Sequence, residues 1–251
     1  IQYGPVVPST GYIDQFAIVP YPPGFVLRFP DQRAEGPLVE VSPEPGLFQI
    51  HKETKDWNRI LGVVNVGQLN EACLSGEITE VIKIAEGFHE KKIAGFADVV
   101  AQRRDKVRLV LIAGPSSSGK TTFSKRLMVQ LRVNGLRPVT LSTDNYFLGR
   151  AETPLDEHGK PDFECLEAVD VPLFNQHLEQ LLAGRQVDVP IYDFFTGNRS
   201  SRTQSMQLGP DDILIVEGIH GLNPKLTASV PAENKLKIYI SALTQLSLGD
   251  P

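Results

Sequence analysis

The sequence is poor in cysteine and lacks a long hydrophobic run. Its two cysteines, Cys73 and Cys165, lie far apart and form no Cys-x-x-Cys or Cys/His cluster, which excludes a disulfide scaffold or a structural zinc site as the organising principle. The longest apolar stretches are short, strand-like segments, well below the ~18 residues that a membrane helix needs. We therefore expect a protein of the reducing cytoplasm that does not enter a membrane.

The sequence also lacks a first methionine, a recognisable signal peptide and an excess of basic charge. The sequence begins at Ile1 rather than at methionine, and no charged segment followed by an apolar one indicates a signal peptide, so we expect a piece of a longer protein. Lys and Arg number 25 against 30 Asp and Glu, a net charge of −5. That balance argues against binding nucleic acid through an overall positive field, although a local basic patch stays open.

Prolines crowd the first part of the chain. Nine of the 19 prolines occur in residues 1–50. Between them lie apolar stretches with strand character, at 13–19, 25–29, 38–41 and 47–50. Because proline confines strands to edges and bends, we predict a β-rich N-terminal lobe over residues 1–65. The alternative is an extended arm that lies over a neighbouring domain.

Residues 66–105 have a different, helical pattern. Apolar side chains recur every three or four residues from Val66 to Val100, which is the period of a helix that buries one face. Gly76 interrupts the pattern and predicts a break between a short helix and a long one. We therefore predict a helical connector over 66–105.

Strand and helix patterns alternate from residue 106 onward. The strand-like runs lie at 107–113, 138–142, 213–216 and 236–240, and the helical patterns at 119–133 and 170–183. Asp170 and Pro172 are typical of the first turn of a helix, and Gly184 is typical of its end. Such alternation predicts an α/β domain over residues 106–251, with a parallel sheet covered by helices on both faces.

A glycine-rich phosphate-binding motif lies in this domain. It follows the first apolar strand and opens the first helix, as the pattern G-x-x-x-x-G-K-[ST] requires. Its residues, with the threonine that follows, are Gly114, Pro115, Ser116, Ser117, Ser118, Gly119, Lys120, Thr121 and Thr122. Glycines let backbone N–H groups face a phosphate at the positive end of a helix. Lys120 is expected to reach the β- and γ-phosphates, and the Thr121 hydroxyl to bind Mg²⁺. The motif predicts a P-loop NTPase-type sheet that binds a nucleoside triphosphate.

Two acidic residues follow predicted strands. Asp144 comes after strand 138–142, and Glu217 comes directly after strand 213–216. The carboxyl ends of parallel strands face the same crevice as the phosphate loop. One acid is therefore expected to hold Mg²⁺ or its waters, and the other to accept a proton from an attacking hydroxyl. Each acid, taken alone, could also be a helix cap or a turn former. The sequence has no guanine-reading Asn-Lys-x-Asp motif, which argues against a signalling GTPase.

Four segments of this domain resemble the phosphoribulokinase/uridine kinase family. They are the phosphate loop with Thr122, Thr143-Asp144-Asn145-Tyr146-Phe147, Tyr192-Asp193-Phe194 and Val216-Glu217-Gly218-Ile219. The resemblance covers about residues 107–245 and is strongest to uridine kinase-like nucleoside kinases, including a bacterial subgroup with a long N-terminal extension. It implies an enzyme that phosphorylates a small molecule with ATP and Mg²⁺, and whose kinase domain is the domain at 106–251.

The resemblance also implies roles for single residues. Asp144 matches the general base that contacts the 5′-hydroxyl of a nucleoside, and Glu217 matches the acid near Mg²⁺. Glu164 matches a carboxylate that holds ribose hydroxyls, although it is one methylene longer. Tyr192 and Asp193 match a pair that lines the pocket for base and ribose. The full set of implied acceptor-binding residues is Asp144, Tyr146, Glu164, Tyr192, Asp193 and Arg199.

Two departures from the family pattern change what we expect. Gly197 stands where uridine kinases carry a histidine that reads the pyrimidine, and a site that loses a hydrogen-bond donor loses the selectivity which that bond provided. We therefore expect an acceptor range that is not restricted to uridine and cytidine. Family members also continue into a lid whose arginines close over the phosphates. Because this sequence stops before such a segment, we expect the kinase domain to be incomplete at its C-terminus.

The main functional prediction is ATP-dependent phosphorylation of the 5′-hydroxyl of a nucleoside. One alternative keeps the chemistry and changes the acceptor to another small alcohol, such as a sugar phosphate or a pantothenate-like substrate. A second alternative is a non-catalytic, regulatory ATP-binding module in which residues 1–105 recognise a partner. The acceptor base and the role of residues 1–105 stay open, as does the oligomeric state, for which the family suggests a homo-oligomer.

Overall fold

The computed structural model describes residues 8–12, 15–22, 24–29, 38, 45–241 and 246–248. The chain divides into two compact units, Ile1–Asp56 and Trp57–Pro251. This boundary falls inside a helix, earlier than the end of the predicted N-terminal lobe at residue 65. No helix in the described part of the chain is both long and apolar enough to cross a membrane.

The described part of the N-terminal unit contains one hairpin. Its strands, β1 (Ala17–Tyr21) and β2 (Gly24–Arg28), pair in antiparallel orientation. Helix α1 (Pro45–Leu61) begins in this unit. The prediction of a strand at 47–50 is wrong, since these residues form the first turns of α1. Proline is preorganised for the start of a helix, and so short an apolar run does not distinguish a strand from a helix. Most of the predicted strand at 38–41 lies outside the described residues.

Two helices precede the sheet of the second unit. Helix α2 (Val66–Ser75) is capped by the Asn65 side chain, which accepts a hydrogen bond from the Gln68 N–H at 2.8 Å. Gly76 ends α2 in the left-handed conformation, with φ 85°, and α3 (Ile78–Gln102) follows. The predicted break at Gly76 is therefore confirmed. Helix α3 belongs to the same compact unit as the sheet.

The remaining elements build the predicted α/β arrangement. In chain order they are β3 (Leu109–Ala113), α4 (Lys120–Val133), β4 (Arg137–Ser142), α5 (Val171–Leu182), β5 (Val187–Asp193), β6 (Asn198–Met206), β7 (Asp212–Glu217) and β8 (Lys235–Tyr239). Four of these strands form a parallel sheet in the order β4-β7-β3-β8. A parallel sheet flanked by helices confirms the predicted fold class.

Alternate residues of the central strands fill two separate cores. Val110 and Ile112 pack with residues of α3 and α4, including Ile93 and Leu127. The neighbouring positions, such as Leu111, face the opposite core, which contains the apolar stripe of α5. Because β3 is buried on both faces, it appears in the sequence as an unbroken apolar run rather than as an alternating one.

Strands β5 and β6 form a hairpin beside this sheet. The sequence patterns did not predict this hairpin. Asp193 pairs with Asn198 next to the turn, and Tyr192 pairs with Arg199. Strand β6 consists mostly of polar residues, and most of them are exposed. A strand with no apolar face lacks the periodic signal from which strands are recognised.

Candidate active site

The carboxyl ends of β3, β7 and β4 lie side by side at one edge of the sheet. In the register of the strands, Ile112 is opposite Glu217, and Glu217 is opposite Ser142. The segments that follow these strands therefore meet at this edge. They are the phosphate loop (residues 114–119), a single 3₁₀ turn at Thr143–Tyr146, and the turn after Glu217.

The backbone conformation of the phosphate loop restricts which residue types can occupy it. A Cβ atom on Gly114 would overlap the carbonyl oxygen of Ile240, so this position requires glycine. Ser117 and Gly119 both have left-handed backbone conformations, with φ of 59° and 88°. The backbone N–H groups of residues 116, 117 and 119–122 donate to no acceptor in the described part of the chain. Unpaired N–H groups at the N-terminus of a helix form a site for an anion.

Lys120 lies over the start of this loop. Its Nζ donates hydrogen bonds to the carbonyl oxygens of Gly114 at 2.9 Å and Pro115 at 2.7 Å. The Ser118 hydroxyl is buried, and no residue that the structure describes forms a hydrogen bond with it. The loop therefore combines a flexible cation with several unpaired donors.

Glu217 contacts the first turn of helix α4. The hydroxyl of Thr121 donates to Glu217 Oε1 over 3.3 Å, whereas Glu217 Oε2 is buried and has no hydrogen-bond partner among the described residues. Burial raises the pKa of Glu217, and the negative charge of Asp144 raises it further. The bond from Thr121 and the charge of Lys120 act in the opposite direction.

Asp144 lies in the 3₁₀ turn after β4, close enough to Lys120 and His220 for both residues to affect its pKa. Burial raises the pKa of Asp144, while the positive charges of Lys120 and His220 oppose that rise. The backbone at Asp144 is held by a bond from its N–H to the Ser142 hydroxyl, at 3.2 Å. Asp144 and Glu217 thus form a pair of partly buried carboxylates beside one lysine.

His220 is a residue of this site that sequence reasoning missed. His220 lies in the turn that begins at Glu217, and its Nε2 atom is buried with no hydrogen-bond partner in the part of the chain that the structure describes. The signal was present in the sequence, since His220 follows Glu217-Gly218-Ile219 directly. A single histidine has no spacing pattern, however, so only the fold shows that it lies near Asp144.

The residues around Glu217 fit a bound Mg²⁺ that completes its coordination with phosphate oxygens. In the described residues, no group of three or more His, Cys, Asp or Glu side chains is arranged to hold a metal ion. Mg²⁺ does not need such a cage, because it is commonly bound by one or two carboxylates together with substrate phosphates and waters. The unpartnered Oε2 of Glu217 and the hydroxyl of Thr121 supply oxygen ligands of the right kind.

A cluster of four aromatic side chains, the aromatic cluster, lies beside Asp144. Phe147 contacts the other three rings at centroid distances of 5.6–6.4 Å; they are Phe163, Tyr192 and Phe194. The cluster is tied to the Asp144 turn because the Tyr192 N–H donates to Asn145 Oδ1 at 3.3 Å. The Tyr192 hydroxyl is buried and bonds to no described residue, and burial raises the pKa of that hydroxyl.

The side chains of Arg199 and Tyr146 are bonded to other residues of the second unit. Arg199 donates to the carbonyl oxygens of Tyr146 and Phe147, at 2.9 and 3.1 Å, and pairs with Asp170 at 3.1 Å. The Tyr146 ring is fully buried, its hydroxyl is 3.1 Å from His177 Nδ1, and burial raises its pKa. Both side chains are therefore occupied in the core. The contact of both residues with an acceptor stays a prediction.

Asp193 and Glu164 lie at the outer side of the aromatic cluster. Asp193 accepts bonds from the Phe195 N–H at 2.9 Å and the Thr196 hydroxyl at 3.0 Å, and these bonds lower its pKa. Its carboxylate thus holds the turn between β5 and β6. Glu164 is exposed and follows Phe163 of the cluster, so its carboxylate is free to meet a ligand.

Comparisons with known proteins identify a family for the part of the chain that contains this site. Residues 109–249, more than half of the chain, match the model of the phosphoribulokinase/uridine kinase family. A uridine kinase from Mycoplasma genitalium is 35% identical over 136 residues, which are 54% of this chain and 61% of that protein. A uridine kinase from Ligilactobacillus salivarius is 32% identical over 124 residues, which are 49% of this chain and 56% of that protein. The chain spans about three-fifths of the length of these curated relatives.

A solved structure shows a more limited similarity. It is described as a possible uridine kinase from Bacillus stearothermophilus, and it matches with a TM-score of 0.45 and 23% identity. The match covers 57% of this chain and 78% of that chain.

Proposed function

Because the chain belongs to the phosphoribulokinase/uridine kinase family, we propose that it transfers the terminal phosphoryl group of ATP to the 5′-hydroxyl of a nucleoside. The observation that carries this proposal is the position of Asp144. Its carboxylate is close enough to Lys120 for the lysine charge to lower its pKa. The turn that carries Asp144 is also hydrogen-bonded to the aromatic cluster. A donor at the phosphate loop and an acceptor at the cluster would therefore meet at Asp144.

ATP would bind through residues 114–122. The unpaired N–H groups of the loop and the N-terminus of α4 complement the phosphate charge. Among the described residues, Lys120 bonds only to backbone carbonyls of the loop, so its ammonium can exchange these bonds for stronger, charge-assisted ones to phosphate. This exchange places a positive charge where negative charge accumulates during transfer.

Glu217 and Thr121 would hold Mg²⁺ beside the phosphates. When bound there, Mg²⁺ neutralises phosphate charge and orients the phosphate chain. Glu217 is half buried, and a partly buried carboxylate without a full set of hydrogen bonds is stabilised by a cation. The Thr121 bond fixes the orientation of its carboxylate.

Asp144 would accept the proton of the attacking hydroxyl. A general base works best when its pKa lies nearer to the working pH than that of an ordinary aspartate, and burial shifts the pKa of Asp144 in that direction. The positive charge of Lys120 opposes that rise in pKa and so favours the ionised carboxylate that a general base requires. Much of the rate enhancement would come from this positioning and electrostatics.

The acceptor would lie against the aromatic cluster. Aromatic rings offer a stacking surface for a nucleobase, and the exposed Glu164 carboxylate is an acceptor for ribose hydroxyls. The curated relatives named above are uridine kinases, which supports a nucleoside as the acceptor class. Gly197 carries no side chain to read a pyrimidine, so the proposed acceptor range extends beyond uridine and cytidine.

The proposal is tested by coupled ADP release with ATP and Mg²⁺ against uridine, cytidine, adenosine, inosine and guanosine. We expect ADP release that depends on the nucleoside, in this chain or in the chain extended at its C-terminus. Activity only in the extended form would place essential charged groups after Pro251. Slow ATP hydrolysis that no nucleoside accelerates, in either form, would overturn the proposal in favour of another alcohol or of a regulatory module.

A further inference from the structure

Arg150 lies against the tip of the hairpin formed by β5 and β6. Its backbone N–H donates to the Gly197 carbonyl oxygen at 2.9 Å. Gly197 has a left-handed backbone with φ 69°, and a Cβ atom there would lie 3.0 Å from Arg150 Nε and 3.3 Å from both Cζ and Nη2. The guanidinium plane therefore covers the one position of the hairpin tip that has no side chain.

The backbone that carries Arg150 is well fixed. The N–H groups of Glu152 and Thr153 both donate to the Gly149 carbonyl oxygen, at 2.8 and 3.0 Å, and the Thr153 hydroxyl donates to the same oxygen at 3.1 Å. Together with the bond to Gly197, this turn presents the side chain from a constrained position. A preorganised side chain loses less conformational freedom when it binds a ligand.

The guanidinium of Arg150 is unpaired among the residues that the structure describes. In the described part of the chain, its guanidinium makes no hydrogen bond or ion pair, and the residue is exposed. It lies close enough to Tyr192 that its charge opposes the rise in pKa that burial causes in that hydroxyl. An unpaired guanidinium thus borders the aromatic cluster, on the side of the hairpin tip.

We propose that Arg150 selects the base of the acceptor, and that it favours 6-oxopurine nucleosides such as inosine and guanosine over adenosine. This inference rests on the proposed function. A nucleoside whose 5′-hydroxyl meets Asp144 and whose base stacks on the aromatic cluster directs the far edge of the base towards the hairpin tip. The absence of a side chain on Gly197 leaves room for Arg150 to face that edge.

The selectivity follows from hydrogen-bond chemistry. A guanidinium has five N–H donors and no acceptor. The O6 and N7 atoms of a 6-oxopurine are two acceptors at the spacing of the guanidinium fork, whereas adenine presents an amino donor in place of O6. A guanidinium that donates two hydrogen bonds to one base discriminates between bases by about 10- to 100-fold in affinity.

The test compares kcat/KM for inosine, guanosine and adenosine in the full chain and in its Arg150→Met and Arg150→Lys variants. Methionine keeps an unbranched stem without donors, and lysine keeps the charge without the fork. The matched control is Arg185→Met, because Arg185 is exposed near the opposite end of the hairpin. ATP affinity and the melting temperature show that each variant is folded.

We expect the parent chain to prefer inosine to adenosine, and Arg150→Met to lose about 10- to 100-fold on inosine while its adenosine value changes less than about 3-fold. Arg150→Lys should fall between the two, and Arg185→Met should match the parent. Equal effects of Arg150→Met on inosine and adenosine, in a chain that phosphorylates nucleosides, would overturn the role of Arg150 and leave the proposed function standing. The absence of nucleoside-dependent turnover in both the parent chain and the chain extended at its C-terminus would overturn both proposals.

Discussion

The hydroxyl of Thr143 donates a hydrogen bond to the backbone carbonyl of Glu217 over 3.2 Å. Thr143 is buried, and it directly precedes Asp144. The bond therefore fixes the distance between the segments that carry the two carboxylates of the site. Gly218 lies under the same threonine, and a Cβ atom there would overlap Thr143 Oγ1.

Gly218→Ala should separate the two carboxylates. The added methyl group forces Thr143 or the turn to move, and overpacking of this kind costs about 1–3 kcal/mol in the free energy of unfolding. A displacement of the catalytic groups by about 1 Å lowers kcat by about 100-fold. Denaturant unfolding and steady-state kinetics measure the two effects. The control is Gly95→Ala, since Gly95 lies on α3 with open space around its Cβ position, and alanine there favours the helix. A Gly218→Ala enzyme with unchanged kcat would contradict this prediction.

Lys120→Ala should weaken the binding of ATP. The variant removes the cation over the phosphate loop, and hydrogen bonds to a charged group contribute enough that the Kd should rise about 10- to 100-fold. Calorimetric titration with a non-hydrolysable ATP analogue gives the Kd. Lys91→Ala, at an exposed position of α3, should leave the Kd unchanged. Equal affinities of the parent and Lys120→Ala chains would mean that the loop does not hold the phosphates.

Asp144→Asn should lose phosphoryl transfer while it keeps ATP binding. Removal of a general base lowers turnover by about 100- to 10,000-fold, whereas the phosphate loop is untouched.

Burial raises the pKa of Asp144 above its ordinary value of 3.8. The kcat/KM of the parent should therefore fall, as the pH decreases, at a higher pH than an ordinary aspartate would give, and this limb should vanish in the variant. Asp211→Asn, in an exposed loop, serves as the control. Near-normal turnover in Asp144→Asn would transfer the role of base to Glu217, because the Asp193 carboxylate is bonded into its own turn.

Glu217→Gln should raise the melting temperature at neutral pH. Burial raises the pKa of Glu217 above its ordinary value of 4.5, so the folded chain binds this proton more tightly than the unfolded chain does. The stabilisation from the protonated form is complete below the ordinary pKa and is lost as the pH rises through the raised value. Glutamine stays neutral throughout, so the gain should be present at neutral pH and should shrink as the pH falls towards 4.5. Calorimetric scans across this range, with Glu71→Gln on the exposed surface of α2 as the control, measure it. A lower melting temperature for Glu217→Gln at neutral pH would refute the prediction.

Local patterns in the sequence were sufficient for the elements that position the phosphates. The loop at 114–119 follows from glycine spacing between an apolar strand and a helix, and the cap at Asp170 is confirmed by its bond to the Leu173 N–H at 3.0 Å. The same reasoning failed at 47–50, where a short apolar run suited a strand and a helix equally well. It also missed β6, whose polar residues carry no periodic signal.

The sequence by itself determined the helices α2 to α5 and the four strands of the parallel sheet, because strand and helix periods, glycine conformations and caps depend on residues that are close along the chain. Only the tertiary structure decided what each side chain contacts. Thr121 contacts Glu217, and Arg150 covers Gly197, because segments that are distant along the chain pack against each other. Arg199 and Tyr146 belong to predicted motifs, yet their side chains are occupied by Asp170 and His177. A motif specifies a residue type and a spacing, whereas hydrogen-bond partners depend on the surfaces that folding brings together.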